Sequence, residues 1–180
     1  MERISFLMNE RKFKRINVLT LALGIAFMPP IWAVLAPYIG VSIGAVALIG
    51  AGLYVANGNK KSNEFKIAMG FICGDIWAVT AIWIMEKLQF NPKVEIYLTL
   101  FVLGGLAVII GETLNKWIFV PSWLCGWAIG LTIMGPLPTS ELETLPIQIG
   151  AAMIVGVVYV GIGVDAFQKW IVRMLVKDAK

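Results

Sequence analysis

The segment from Glu64 to Glu86 constrains the fold of this chain more than any other part of it. It is long enough to cross a bilayer as a helix, which needs about 20 apolar residues. Asp75 lies at its midpoint, and a carboxylate at that depth is costly unless it faces a bundle interior, a wet cavity or a partner. The apolar stretches contain no internal Lys or Arg, and the sequence has no His. The sequence therefore predicts that Asp75 has no countercharge within the membrane.

The helical angle places further groups around Asp75. Successive helix residues are about 100° apart, so Glu64, Asp75 and Glu86 share one face. Gly70 and Gly74 form a G-x-x-x-G pair beside that face, which lets another backbone approach closely. Two interpretations stay open. The three acids line a conduit for a cation or hydrogen-bond donor, or the glutamates are ordinary interfacial charges and Asp75 caps the broken backbone of a neighbouring helix.

Composition indicates an integral membrane protein. The chain is 59% hydrophobic and 14% charged, with a mean hydropathy of +0.82, whereas soluble proteins are about 45–50% apolar and 25% charged. The net charge of +4 reflects how basic residues are distributed among loops, so no nucleic-acid partner is expected. The predicted fold class is an all-α, polytopic membrane helix bundle.

Six apolar segments can be distinguished, and the distribution of basic residues supports that number. The segments are residues 18–36, 39–56, 64–86, 95–111, 117–135 and 147–165. When Lys66 is counted with Lys60 and Lys61 of the preceding turn, Lys and Arg in the alternate non-membrane segments that begin with the N-terminal head total 13, against 2 in the others. Because basic residues concentrate on the cytoplasmic side, we expect six spans with both termini in the cytoplasm. The predicted parts are a basic head (1–17), a membrane domain (18–165) and a basic tail (166–180).

The tail has the pattern of an amphipathic helix. Its apolar residues recur at helical spacing, whereas Lys169, Arg173 and Lys177 form another stripe. Such a helix suits the surface of an anionic membrane. It is alternatively a simple extension of the sixth helix, stabilised by cations at its C-terminus.

Pro29 and Pro30 predict a break in the first span. Two prolines remove two backbone donors and open the preceding turn. A helix broken at membrane depth is tolerated only where protein or a wet cavity satisfies the freed carbonyl groups. We therefore expect a Pro-broken first span that lines a path.

Four tryptophans lie well inside the predicted spans: Trp32, Trp77, Trp123 and Trp127. Tryptophan is normally enriched at the membrane–water boundary. Flat aromatic walls beside broken backbone would suit a planar amide or a cation such as guanidinium or ammonium. The alternative is that each ring fills space between glycine-rich helices. Taken together with Asp75 and the prolines, the four tryptophans favour a conduit.

Several short motifs give the chain a resemblance to a known family. They are Ile31-Trp32 before a glycine-rich second span that ends near Tyr54, Gly74 three residues before Trp77-Ala78, and Phe119-Val120-Pro121 leading to Gly126. With these motifs the chain resembles the bacterial inner-membrane proteins grouped as the domain-of-unknown-function 1097 family, over residues 21–170. The resemblance implies an all-helical, multi-pass protein of the bacterial inner membrane and supplies no activity.

An enzyme is not predicted. The sequence offers no His base, no paired intramembrane carboxylates on one helix and no phosphate loop, and we expect neither a cofactor nor a metal. The favoured function is a channel or facilitator for a small polar or cationic solute of the ammonium, guanidinium, urea or amine type. Six short spans make a small bundle, so a homo-oligomer is expected. The alternative is a non-transporting subunit whose glycine faces and acidic loop dock a partner protein.

Overall fold

A computed structural model describes residues 2–58, 61–88 and 91–177, with side chains described within residues 14–58, 62–88 and 91–174. Over these residues the chain is all-α. The α-helices are α1 (Glu2–Leu35), α2 (Ala47–Ala56), α3 (Glu64–Leu88), α4 (Pro92–Thr113), α5 (Val120–Met134), α6 (Leu145–Val155) and α7 (Gly163–Lys177). A π-helical segment, Gly156–Ile162, joins α6 to α7. Parts of the predicted head, tail and two turns lie outside the described residues.

The membrane character expected from composition is confirmed at the level of helix length and hydropathy. Four helical stretches of the described chain are long and apolar enough to cross a membrane: Lys14–Ile39, Glu64–Leu88, Pro92–Thr113 and Leu145–Met174. Two shorter apolar stretches, Gly44–Ala56 and Val120–Met134, lie between them. The protein is therefore an all-α chain whose helices are compatible with a membrane helix bundle.

Helices α3 and α5 form the central contact, and glycines set its closeness. A Cβ added to Gly74 would lie 2.6 Å from the backbone nitrogen of Trp127, and one on Gly126 would lie 2.8 Å from the Phe71 carbonyl oxygen. Gly70 lies against Ser122, Gly74 against Trp127 and Ala78 against Gly130. Residue numbers rise together along the two helices, so α3 and α5 are parallel. The predicted close approach of another backbone to Gly74 is confirmed, and that backbone belongs to α5.

Helices α1 and α7 form a second contact, which is antiparallel. The Gln168 side-chain nitrogen donates a hydrogen bond to the Asn17 carbonyl oxygen over 2.9 Å. Further along α1, Gly24 packs against Val164 and Met28 lies beside Gly163. The middle of α1 therefore packs against the first half of α7, with the two helices running in opposite directions.

The predicted break at Pro29 and Pro30 is wrong, because α1 continues through both residues to Leu35. The fixed φ of proline, near −65°, is compatible with a helix. The two missing N–H groups leave the carbonyls of Ile25 and Ala26 without their usual helical donors, but that loss does not end the helix. The chain leaves α-helical geometry at residues 36–39, a short 3₁₀ turn closed by Gly40, which adopts φ 81°.

The last apolar stretch changes its helical geometry midway. Between α6 and α7, residues 156–162 form π-type hydrogen bonds, and α2 packs against this segment. A Cβ added to Gly50 would lie 2.6 Å from the Met153 carbonyl oxygen, and one on Gly161 would lie 2.8 Å from the Tyr54 ring. Helix α7 continues the last apolar stretch as far as Lys177. The described part of the tail is therefore helical and extends the sixth helix.

Candidate functional site

Asp75 is buried where α3 meets α5 and α6. Its side chain is 8% exposed. The Oδ1 atom lies 3.6 Å from the position that a Cβ would occupy on Gly130 of α5, and Oδ2 lies 3.6 Å from the same position on Gly150 of α6. Two glycines therefore leave the space that the carboxylate occupies. A Cβ at either glycine would be in ordinary van der Waals contact with the carboxylate, whereas a Cβ at Gly130 would also clash with the Cβ of Ala78.

The predicted lack of a countercharge is observed in the structure. The Oδ1 atom of Asp75 is buried and has no hydrogen-bond partner among the described residues. The ion pair between Lys169 and Asp165 lies elsewhere in the molecule, on α7. An ionised carboxylate without compensation in a dry interior costs several kcal/mol. An ionised Asp75 would therefore need a cation or a hydrogen-bond donor to offset that cost.

The three acids that share a face of α3 do not act as one cluster. At 1.5 Å per residue, Glu64 and Glu86 each lie about 16 Å along the axis from Asp75. Glu86 accepts hydrogen bonds of 2.5 Å from the backbone nitrogen and the hydroxyl of Thr139. It therefore holds the loop between α5 and α6 and is not free for a solute.

Three of the four predicted tryptophans lie on α3 and α5, the two helices that also form the central contact. The rings of Trp77 and Trp123 meet edge to face, with centroids 5.2 Å apart. The Trp77 indole nitrogen donates to the Leu103 carbonyl oxygen over 3.0 Å, and the Trp127 ring packs on Gly104 of α4 at 3.8 Å from its Cβ position. The cluster joins α3, α4 and α5.

Several polar atoms of this region are buried without a partner. The indole nitrogens of Trp123 and Trp127 have no acceptor, and the Thr99 hydroxyl has no partner among the described residues. Most buried polar groups in proteins are paired, so each exception calls for an explanation. Helices α3, α4 and α5 therefore carry two indole donors, one hydroxyl group and one carboxylate oxygen that have no described hydrogen-bond partner. The sequence singled out both indoles but not Thr99 or Gly150, since neither follows a local motif.

Trp32, Pro29 and Pro30 belong to a different place. They line an open cleft of about 480 Å³ between α1 and α2. The Trp32 indole nitrogen donates to the Gly44 carbonyl oxygen over 3.0 Å, so its one donor is used. The predicted set of seven path residues therefore falls into two groups, one around Asp75 and one at the α1–α2 cleft.

A metal centre is not found within the described chain, where His, Cys, Asp and Glu side chains form no cluster of three or more. The buried aspartates are separate from each other, with Asp75 on α3 and Asp165 on α7. The chemistry at Asp75 is therefore that of one carboxylate among apolar and aromatic groups.

The apolar helices and their glycine-mediated packing define the class of the protein as a membrane-type helix bundle. The chain belongs to the family described as "Protein of unknown function (DUF1097)", whose profile matches residues 22–169. The resemblance drawn from the tryptophan, glycine and proline motifs is thereby confirmed. Comparisons with curated proteins and with solved structures give no match.

Proposed function

We propose that this protein is a membrane channel or facilitator for a small polar or cationic solute, and that Asp75 recognises that solute. The single observation that carries the proposal is the Asp75 carboxylate, 8% exposed and with Oδ1 unpartnered. A cation or a donor-rich solute would supply the missing partner. Ionisable residues at membrane depth mark substrate or ion pathways in many membrane proteins.

The surroundings of Asp75 favour a small solute. The carboxylate faces glycine positions on α5 and α6 at 3.6 Å, which leaves little room around it. The indole nitrogens of Trp123 and Trp127 are additional donors without acceptors. Ammonium, guanidinium, urea and simple amines carry complementary donors or acceptors at that scale, and aromatic walls also attract cations.

For the membrane arrangement we propose six spans, with both termini in the cytoplasm of a bacterial cell. The two shorter apolar helices then count as spans. At 1.5 Å per residue α5 is about 22 Å long, and local thinning of the bilayer accommodates such a span. The antiparallel contact of α1 with α7 supports this arrangement, since it brings the first and last spans together in opposite directions. Tyr97 and Phe101 on α4 are 66% and 68% exposed, which is consistent with a lipid-facing or oligomeric surface.

The alternative of a docking subunit loses part of its basis. It relied on glycine faces open to a partner, but Gly70, Gly74, Gly126 and Gly130 are occupied by contacts within the chain. What stays available is the acidic loop 136–146, where Glu141 and Glu143 are exposed. That Pro29, Pro30 and Trp32 line the solute path stays a prediction.

A liposome flux assay tests the proposal. Purified protein is reconstituted, and uptake of ammonium, guanidinium, urea and methylamine is compared for the wild type, Asp75→Asn and Glu112→Gln. The last is a matched control, because it removes one carboxylate at an exposed position of α4. We expect flux of at least one solute to fall at least tenfold in Asp75→Asn and to stay within twofold in the control.

Flux through the wild type that is equal in Asp75→Asn would end the case for Asp75 as the recognition group. No flux of any solute through the wild type, with a partner protein bound instead, would favour the docking subunit. Unfolding midpoints measured in the same detergent show whether each variant is folded, so a loss of flux is separable from a loss of structure.

Topology has its own test. Ser62 and Ser140 are both exposed, and each is replaced by Cys in a background in which Cys73 and Cys125 are Ala. We expect a membrane-impermeant thiol reagent to label position 140 from outside intact cells and position 62 after the membrane is opened. Labelling of both positions from the same side would contradict six spans.

A further inference from the structure

An open cleft between the middle of α1 and α7 has the features of a lipid-binding site. Its volume is about 350 Å³, and it is lined by Asn17, Asp165, Gln168, Lys169, Val172 and Arg173. We propose that this cleft binds the phosphate-bearing headgroup of an anionic phospholipid. The site is separate from Asp75 and does not depend on transport.

Two polar contacts fix the floor of the cleft. The Gln168 side chain bonds to the Asn17 carbonyl oxygen over 2.9 Å and so ties α7 to α1. Lys169 Nζ lies 2.7 Å from Asp165 Oδ2, in a pair whose acid is 4% exposed and whose cation is 54% exposed. Lys169 is therefore held in place by a buried acid while its charge still faces the cleft.

The antiparallel register adds more cations at the same level. Lys14 precedes Asn17 by three residues, and Arg173 follows Gln168 by five. At 1.5 Å per residue these positions lie about 4.5 Å and 7.5 Å beyond the Gln168–Asn17 bond, in the same direction. Both side chains are exposed, as is Arg15. Lys169 and Arg173 line the cleft with the single carboxylate of Asp165, and Lys14 and Arg15 add charge nearby on α1, which leaves a positive surplus suited to a phosphate.

An apolar surface continues from this basic group. A neighbouring groove contains Lys14 and Arg15 together with Val18 and Leu19, and the two apolar side chains are 59% and 63% exposed. A free phosphate ion has no use for an adjoining apolar wall, whereas a phospholipid places its acyl chains against one. The juxtaposition of the two surfaces therefore favours a lipid over a soluble anion.

The position along the helices agrees with that choice. Lys14 and Arg15 come just before the apolar run of α1 that begins at Val18. Trp170 is 58% exposed on the same part of α7, and exposed tryptophan is typical of the headgroup region. Basic pockets between membrane helices bind anionic headgroups in other proteins.

The test measures lipid affinity of the purified full chain in a neutral detergent. Native mass spectrometry counts bound phosphatidylglycerol and phosphatidylcholine, and unfolding midpoints are taken with each lipid and with inorganic phosphate. The test variant is Lys14→Gln with Arg173→Gln, which leaves the Lys169–Asp165 pair intact. The control is Lys93→Gln with Lys116→Gln, which removes two exposed cations elsewhere.

We expect the wild type to bind phosphatidylglycerol at least tenfold more tightly than phosphatidylcholine. The test variant should lose most of that preference, and the control should keep it within twofold. Added salt should weaken phosphatidylglycerol binding in the wild type, because exposed charges are screened.

Equal affinity for the two lipids would overturn the proposal, as would an equal loss in both variants. A stabilisation by inorganic phosphate that matches phosphatidylglycerol at the same concentration would overturn the lipid in favour of a soluble anion. If the double variant does not fold, Arg173→Lys keeps the charge and should retain the preference, whereas Arg173→Gln alone should reduce it.

Discussion

Two contacts of this bundle each bury an aspartate, and they treat it in opposite ways. Asp165, at the contact of α1 with α7, is 3% exposed and paired with Lys169 at 2.7 Å. Asp75, where α3 meets α5 and α6, is 8% exposed and has an oxygen without any described partner. Burial alone therefore does not distinguish the two aspartates; the lack of a described partner for Asp75 Oδ1 does.

The two contacts also differ in how closely the helices approach. At α3–α5 a Cβ on Gly74 would meet the backbone of Trp123 and Trp127, whereas at α1–α7 a Cβ on Gly24 would meet the side chain of Val164 at 2.8 Å. Backbone atoms of packed helices cannot move away individually, but a side chain can shift. The central contact is thus the more rigid one, and the unpaired carboxylate lies beside it.

The largest expected effect concerns this difference in packing. Gly74→Ala should destabilise the protein by about 1–3 kcal/mol, as overpacking of a close contact does. Gly24→Ala should cost less, because Val164 can adjust. Gly105→Ala is the control, since its Cβ would have no neighbour within 4 Å. Unfolding midpoints in detergent rank the three, and equal losses at Gly74 and Gly24 would remove the contrast.

The second largest effect concerns the two aspartates, whose replacement by Asn should change the stability of the protein in opposite directions. Asp165→Asn breaks a pair with a half-exposed lysine and should cost about 1 kcal/mol. Asp75→Asn removes a buried charge that has no partner, so stability should stay the same or rise. Chemical or thermal unfolding of both variants measures the difference. A larger loss for Asp75→Asn than for Asp165→Asn would mean that Asp75 has a structural partner.

The smallest expected effect distinguishes two tryptophans within the central contact. Trp77→Phe loses the hydrogen bond to Leu103, which has a length of 3.0 Å and a typical value of about 1 kcal/mol. Trp123→Phe removes a similar volume but no hydrogen bond, since its indole nitrogen has no partner. Trp77→Phe should therefore unfold at the lower temperature. The reverse order would indicate that Trp123 has a polar partner under the conditions of the measurement.

The close contact of α3 with α5 could be predicted from the sequence, because the residues that indicate it are local. A G-x-x-x-G pair at Gly70 and Gly74 predicts a close helix neighbour, and Asp75 in a stretch without cations predicts a missing countercharge. Gly150 could not be predicted as part of the site, because its role depends on where α6 packs. The prediction of a break at Pro29 and Pro30 was wrong, because proline removes hydrogen bonds without excluding helical backbone angles.

Residues 156–162 have one more consequence, which concerns insertions and deletions. A π-type segment accommodates an extra residue within an otherwise α-helical run, and each residue turns the helix by about 100°. Removing one residue here would convert the segment to regular α-helix with little rotation of α7 relative to α6, because the wider π turn already absorbs the extra residue. Removing one residue between Gly163 and Gln168 would instead turn Gln168 and Lys169 away from α1 by about 100°. The polar contacts of the last helix therefore tolerate a single deletion within residues 156–162 but not one at the beginning of α7.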